Sequence, residues 1–109
     1  MSSMHYKRGD RLPTLEVVLW DGATDAAAVL TGATAKVILR LVGESTAKVS
    51  AAATITDALL GQVRYSWGVT DLDTIGSYYV ECEVTYASGG KRTFPSSGYL
   101  TLLVEDDLG

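Results

Sequence analysis

Residues 71–86, Asp-Leu-Asp-Thr-Ile-Gly-Ser-Tyr-Tyr-Val-Glu-Cys-Glu-Val-Thr-Tyr, contain the clearest structural pattern in the chain. From Tyr78 onward every second residue is apolar or aromatic, and the residues between them are mostly polar. This period of two is typical of a strand with one buried face and one solvent-facing face. Two aspartates and a glycine provide turn chemistry just before it. We therefore predict a central strand here, with Tyr78, Val80 and Cys82 pointing inward.

Shorter segments on both sides of this strand have β character as well. Residues 35–42 and 62–67 alternate in the same way, and residues 46–50 and 53–56 predict two short, weak edge strands. With turn signals between them and no convincing helix, the chain predicts an all-β, immunoglobulin-like antiparallel sandwich of six to eight strands. Tyr78 enters its strand where such domains place a tyrosine corner. The predicted core consists of Val37, Leu39, Tyr65, Trp67, Tyr78, Val80, Cys82 and Leu102.

The length of 109 residues predicts a single domain. We divide the chain into a polar N-terminal arm over residues 1–12, the sandwich over 13–105 and an acidic tail over 106–109. No apolar run approaches the roughly 18 residues that a membrane helix needs, so we expect no membrane association. The first residues lack the apolar segment of a signal peptide, so we expect no secretion by that route.

Residues with reactive side chains are few and far apart in the sequence. His5 is the single histidine and Cys82 the single cysteine, which excludes an internal disulfide and predicts a buried small apolar side chain at position 82. We interpret Asp57, Asp71 and Asp73 as turn residues that bind their own backbone, with a loosely held Ca²⁺ as the alternative. The net charge of −4 argues against nucleic-acid binding. We predict no enzyme, no cofactor and no metal site.

Apolar residues on the predicted solvent faces are the remaining candidates for function. They are Val18, Trp20, Ile38 and Leu103. Exposed apolar residues are often scattered without purpose, but a flat apolar patch favours contact with another protein. The two oppositely charged ends, with Lys7, Arg8 and Arg11 at the start and Glu105, Asp106 and Asp107 near the end, would add contacts to a neighbouring subunit.

Six short stretches, taken in order, resemble one protein family. They are Lys-Arg-Gly-Asp at 7–10, Leu-Thr-Gly-Ala-Thr at 30–34, Gly-Gln-Val-Arg-Tyr-Ser-Trp at 61–67, Asp-Leu-Asp-Thr-Ile-Gly-Ser-Tyr at 71–78, Gly-Lys-Arg-Thr-Phe-Pro at 90–95 and Gly-Tyr-Leu-Thr-Leu at 98–102. Their order and spacing, over about residues 6–105, resemble the N-terminal domain of the baseplate upper proteins of tailed bacteriophages.

The resemblance implies an immunoglobulin-like domain that packs against other virion subunits and has no catalytic residues. We therefore expect a structural protein of a phage or prophage virion, in the tail or baseplate, present in several copies and assembled in the host cytoplasm. A capsid decoration protein is one alternative. Another is a carbohydrate- or receptor-binding module that uses Trp20, Tyr79 and Tyr99. An enzyme would have to gather its three candidate aspartates into one pocket.

Overall fold

Strands form the regular secondary structure of the protein, seen in a computed structural model that describes residues 4–96 and 98–108. No helix occurs within those ranges. The strands in chain order are β1 Met4–Lys7, β2 Leu15–Val18, β3 Trp20–Asp21, β4 Ala26–Ala27, β5 Thr34–Leu41, β6 Val49–Asp57, β7 Gln62–Tyr65, β8 Gly76–Thr85, β9 Lys91–Phe94 and β10 Leu100–Glu105. The predicted all-β fold is therefore confirmed.

Two sheet layers enclose the core. The larger layer has the order β1-β10-β8-β5-β6, with β9 also paired to β8, and the smaller layer has the order β6-β7-β2. The first part of β6 pairs with β5 and its last part with β7, so this strand passes from one layer into the other. Within the described residues, these eight strands match the upper limit predicted, and β3 and β4 add a two-residue ribbon.

Strand β8 is the central strand that the alternating pattern predicts. It pairs with β5 on one side, and on the other side with β10 along its first half and β9 along its second. Its inward side chains, Tyr78, Val80, Cys82 and Val84, are all buried. The predicted tyrosine corner is also present, because the Tyr78 hydroxyl donates a 2.6 Å hydrogen bond to the carbonyl oxygen of Thr74. This bond fixes the turn that leads into the strand.

The core is centred on Trp67, which is 1% exposed. Its ring makes edge-on contacts with Tyr6 and Tyr65, at centroid distances of 5.5 and 5.3 Å. Such aromatic pairs stabilise a core by about 0.5–1.5 kcal/mol beyond the area that they bury. Of the predicted core residues, Tyr65 is half-buried and the others are buried, namely Val37, Leu39, Trp67, Tyr78, Val80, Cys82 and Leu102.

The boundary predicted at residue 13 is wrong for Met4–Lys7. These residues form β1, which pairs in parallel with β10 and brings Tyr6 into the core, where the side chain is 7% exposed. The Tyr6 hydroxyl donates a 2.9 Å hydrogen bond to the carbonyl of Pro13. One buried residue in four gives no detectable period, so sequence alone could not identify this strand. Residues 1–3 of the predicted arm and residue 109 of the predicted tail lie outside the described ranges.

The two weak edge strands predicted over 46–50 and 53–56 are one nine-residue strand, β6. Alanine and threonine make up much of this strand, and their small side chains leave a weak pattern. Its pairing shifts register between Ile55 and Asp57, near the end paired with β7. The predicted position at a sheet edge is confirmed for each half of β6. The first half pairs only with β5 and the second half only with β7.

Candidate functional site

An apolar cavity of about 610 Å³ opens along the side of the sandwich opposite β6. The inward residues of the larger sheet that border it are Val37, Val80 and Cys82. Strand β2 and its continuation form one wall, and the segment from β9 to β10 forms the other. Those walls consist of Leu15, Val17, Val18, Leu19, Trp20, Gly22 and Ala23 on one side and Arg92, Phe94, Pro95, Ser96 and Leu100 on the other, with Glu81 between β9 and β10.

The pairing of β8 explains why the sandwich is open on this side. Its partner changes from β10 at Val80, which pairs with Leu100, to β9 at Cys82, which pairs with Phe94. Glu81 lies at the change, so the two neighbouring strands separate there. Across the gap, β2 is the last strand of the smaller layer. No further strand of the described chain fills the space between the two layers at this edge.

Val18 and Trp20 lie at the mouth of this cavity, and the structure confirms that they are exposed, by 57% and 55%. The neighbouring residues of the same strand segment, Leu15 and Leu19, are buried. The other two apolar candidates, Ile38 and Leu103, are half-buried on the outer face of the larger sheet. The predicted single apolar patch is therefore wrong, because its members lie on two different surfaces.

An ion pair joins the two walls at one end of the cavity. Arg92 Nη2 lies 3.2 Å from Asp21 Oδ1 and also donates a 3.3 Å hydrogen bond to the Ser96 hydroxyl. The guanidinium group lies 4.6 Å from the centre of the Phe94 ring. Hydrogen bonds from Arg92 and from the Ala23 N–H lower the pKa of Asp21 below its ordinary value, and the bond with Asp21 raises the pKa of Arg92. Sequence reasoning did not identify this pair, which joins residues 71 positions apart.

The oppositely charged ends contact each other within the chain. Arg8 Nη2 lies 2.9 Å from Asp106 and 3.6 Å from Asp107, and the Arg8 N–H donates to the Glu105 carbonyl at 2.7 Å. Parallel pairing of β1 with β10 places Lys7 opposite Glu105. These internal contacts leave the side chains of Arg8, Asp106 and Asp107 about half exposed. Their contact with a neighbouring subunit stays a prediction.

Arg11, the third basic residue in the predicted interface, also makes an internal contact. Its Nε donates a 3.1 Å hydrogen bond to the main-chain carbonyl of Trp67. This bond ties the segment between β1 and β2 to the residue at the centre of the core. Arg11 thus positions its own segment, and its predicted contact with a neighbouring subunit stays a prediction.

The three candidate aspartates make separate contacts and do not form one cluster. Asp71 Oδ2 accepts hydrogen bonds from the Tyr65 hydroxyl at 2.5 Å and the Gly68 N–H at 2.7 Å. Asp57 accepts two main-chain N–H groups of its own turn, and Asp73 pairs with Lys48 at 2.7 Å. The interpretation of Asp57 and Asp71 as residues that bind their own backbone is confirmed. Across the described residues, no group of three or more His, Cys, Asp or Glu side chains is placed to hold a metal ion.

Cys82 is 4% exposed, which confirms the predicted buried side chain. Burial raises the pKa of its thiol to about 11, so the neutral form predominates at physiological pH. The structure adds that this side chain borders the apolar cavity. It contributes there as a small apolar group.

The aromatic residues considered for sugar binding do not form one platform. Tyr79 and Tyr99 pair with a centroid distance of 4.4 Å and an interplanar angle of 30°, and Tyr99 is 40% exposed. Tyr79 lies between the inward-facing Tyr78 and Val80, and Tyr99 precedes Leu100, which pairs with Val80. Both tyrosine rings therefore lie on the outer surface of the larger sheet. Trp20 lies instead at the mouth of the cavity.

Comparisons with known proteins support the fold. No protein-family model matches the chain, and no curated protein matches it. CopC from Methylosinus trichosporium OB3b has a similar structure, with a TM-score of 0.56 and 11% sequence identity over 100% of this chain and 89% of that one. At this identity the likeness shows the fold alone, an immunoglobulin-like β-sandwich. Within the described ranges, no helix has the length and apolar character needed to cross a bilayer.

Proposed function

We propose that this chain is a structural protein of a bacteriophage or prophage virion, a subunit or adaptor of the tail or baseplate that acts by packing against other proteins. The phage assignment rests on the six ordered stretches that resemble baseplate upper proteins. The assembly role rests on one structural observation: two large apolar side chains, Val18 and Trp20, are more than half exposed beside an apolar cavity at the edge of a sheet.

This surface has the features of a protein contact. An apolar centre with a polar rim is the usual anatomy of protein interfaces, and tryptophan is among the residues that contribute most to binding. Here the apolar wall is bordered by the Asp21–Arg92 pair and by Glu16, whose side chain is 70% exposed. At the charged ends, Arg8 pairs with Asp106 and Asp107 of the same chain, so we place the main contact at β2.

Mass spectrometry of phage particles purified from the strain that carries the gene tests this proposal. We expect the chain to be recovered with tail proteins in a fixed ratio after the particles are separated into tails and heads. Recovery with heads would favour the capsid decoration alternative. Absence from purified particles would refute the virion role.

A second experiment tests the surface. Trp20→Ala is expected to reduce incorporation into particles while the purified variant keeps the circular dichroism spectrum of the original. The control is Val69→Ala, which shortens another exposed apolar residue, 71% exposed and absent from the cavity lining. Equal incorporation of both variants would contradict the assignment of the contact to this surface.

The sugar-binding alternative is favoured by a different observation, the half-exposed pair of Tyr79 and Tyr99. Tyrosine combines a large apolar ring with a hydroxyl that forms hydrogen bonds, so it suits contact with a sugar ring. Binding on a glycan array that is lost in Tyr99→Ala, but retained in Trp20→Ala, would favour this alternative over the assembly role.

A further inference from the structure

The outer edge of β2 presents main-chain hydrogen-bonding groups. Just after the strand, the Leu19 N–H donates to the Gly61 carbonyl at 2.8 Å, next to the pairing of Val18 with Gln62. Main-chain groups alternate in direction along an antiparallel strand, so Leu15 and Val17 direct theirs toward β7. Glu16 and Val18 therefore direct their N–H and C=O groups away from it. Within the described chain, β7 is the sheet neighbour of β2.

The cavity lies along this same edge. The side chains of Val17 and Val18 point to opposite faces of β2. Val17 is half-buried and Val18 is exposed, yet both border the cavity. It therefore extends from beneath β2, where it borders the buried side chains of Leu15 and Leu19, to the exposed edge of the strand. In the described part of the chain, no residue of β7 borders the cavity. The cavity therefore lies on the side of β2 that has no sheet partner there.

An extended peptide uses both features at once. A strand added to a sheet edge satisfies the main-chain groups, and its alternate side chains fill pockets along one face. A small apolar molecule would fill the cavity but leave the N–H and C=O groups of Glu16 and Val18 without a protein partner. The geometry therefore favours a peptide strand.

The charges around the cavity indicate the character of that strand. Two charged residues border it, Arg92 and Glu81, and Arg92 is already paired with Asp21. Glu81 pairs in register with Ile38, so its side chain lies on the outer face of the larger sheet, away from β2. Glu16, at the edge itself, presents a largely exposed carboxylate, 4.0 Å from Arg64. Charge complementarity thus calls for a basic residue on the incoming segment.

We propose that the free edge of β2 and the adjoining cavity bind one extended segment of a neighbouring protein. The segment adds a strand to β2, places alternate apolar side chains in the cavity and carries a lysine or arginine opposite Glu16. This proposal rests on the proposed assembly function, for which it names the contact.

Isothermal titration calorimetry of the full chain with blocked synthetic octapeptides tests the proposal. The probes alternate valine and threonine, with one threonine replaced by lysine at each position in turn; matched peptides carry glutamate at the same position. We expect micromolar binding by at least one lysine peptide and at least tenfold weaker binding by its glutamate counterpart. Failure of the whole lysine set to bind would overturn the proposal.

Val18→Pro tests the role of the main chain. Proline is tolerated at an edge strand where its missing N–H faces outward, so the fold is expected to persist. Peptide affinity should fall at least tenfold, whereas the control Val18→Thr, which keeps the N–H, should bind within about twofold of the original chain. Equal affinity of the two variants would refute strand addition.

Two further variants keep the test decisive if Val18→Pro does not fold. Glu16→Gln should weaken the lysine peptide about threefold but leave a valine–threonine peptide without lysine unchanged. Leu100→Trp, which adds volume at a half-buried position on the cavity wall, should weaken both. If neither variant changes peptide affinity, or if the neutral dye N-phenyl-1-naphthylamine saturates the cavity without being displaced by any peptide, the proposal is wrong.

The outcomes separate this proposal from the assembly function. A chain that is present in purified particles but binds no peptide refutes strand addition and leaves the virion role intact. A chain that binds lysine peptides but is absent from particles refutes the virion role and leaves the binding site intact.

Discussion

Replacing Trp67 is the most informative change to the fold, because its ring is 1% exposed and contacts both Tyr6 of β1 and Tyr65 of β7. It therefore joins the edge of the larger layer to the smaller one. Trp67→Ala removes both edge-on aromatic contacts and leaves a cavity, at an expected cost of about 3–5 kcal/mol. That is a large part of the roughly 5–15 kcal/mol by which a small domain is stable.

Trp67→Phe is the matched variant. The indole Nε1 is buried and has no hydrogen-bond partner among the described residues, so a phenyl ring loses no hydrogen bond. Leaving a buried polar group unpaired costs about 1–3 kcal/mol, and phenylalanine removes that cost while it loses some packing. We therefore expect Trp67→Phe to destabilise the protein by about 1 kcal/mol or less.

Urea unfolding followed by far-ultraviolet circular dichroism is the suitable assay, because the remaining Trp20 is 55% exposed and a poor fluorescence reporter. With a slope of about 1.5 kcal/mol per molar urea, a loss of about 3–5 kcal/mol lowers the midpoint by about 2–3 M. The phenylalanine variant should shift by less than about 1 M. A similar loss in both variants would show that the indole N–H is satisfied in solution and would refute the reasoning.

Three further predictions concern stability. Tyr78→Phe, which removes the 2.6 Å hydrogen bond to the carbonyl of Thr74, should cost about 1–2 kcal/mol in urea unfolding, against almost no change for the outward-facing Tyr79→Phe. Burial and the neighbouring Asp71 raise the pKa of Tyr65 to about 12. The folded protein therefore retains a proton that the unfolded chain loses, so stability should fall as the pH rises from about 10 to 12, less steeply in Tyr65→Phe. Lys48 and Thr74 lower the pKa of Asp73 in the folded protein. The stabilising contribution of Asp73 is therefore present above about pH 4 and is lost as the pH falls through the lowered folded-state pKa. Asp73→Asn should make stability depend less on pH in this acid range.

Local alternation made the central strand predictable. Along β8 each inward side chain is apolar and each outward one is polar or a tyrosine, so the pattern alone identified both the strand and its buried face. The tyrosine corner was predictable for a related reason, since it depends on residues four positions apart. Val18 and Trp20 were predicted as exposed because they are out of phase with Leu15 and Leu19 in the same segment.

The cavity was not predictable in the same way. It exists because β8 changes partner from Leu100 to Phe94 across Glu81 while β2 ends the opposite layer. Each of those facts concerns pairing between distant strands. The chain offered one hint, the proline and glycine between β9 and β10, which indicate an interruption but not what lies beneath it.

The sequence by itself determined the all-β class, the central strand and the residues at the centre of the core. This was possible because the alternation of apolar and polar residues along a strand identifies its buried face. The tertiary structure alone decided that Met4–Lys7 pairs with β10, that residues 49–57 form one strand shared by two layers, and that Arg8 pairs with Asp106 near the other end of the chain. These outcomes depend on which strands meet in space, and a short or small-residue strand contains too little pattern to select its partner. The same dependence left one edge of β2 unpaired beside an apolar cavity.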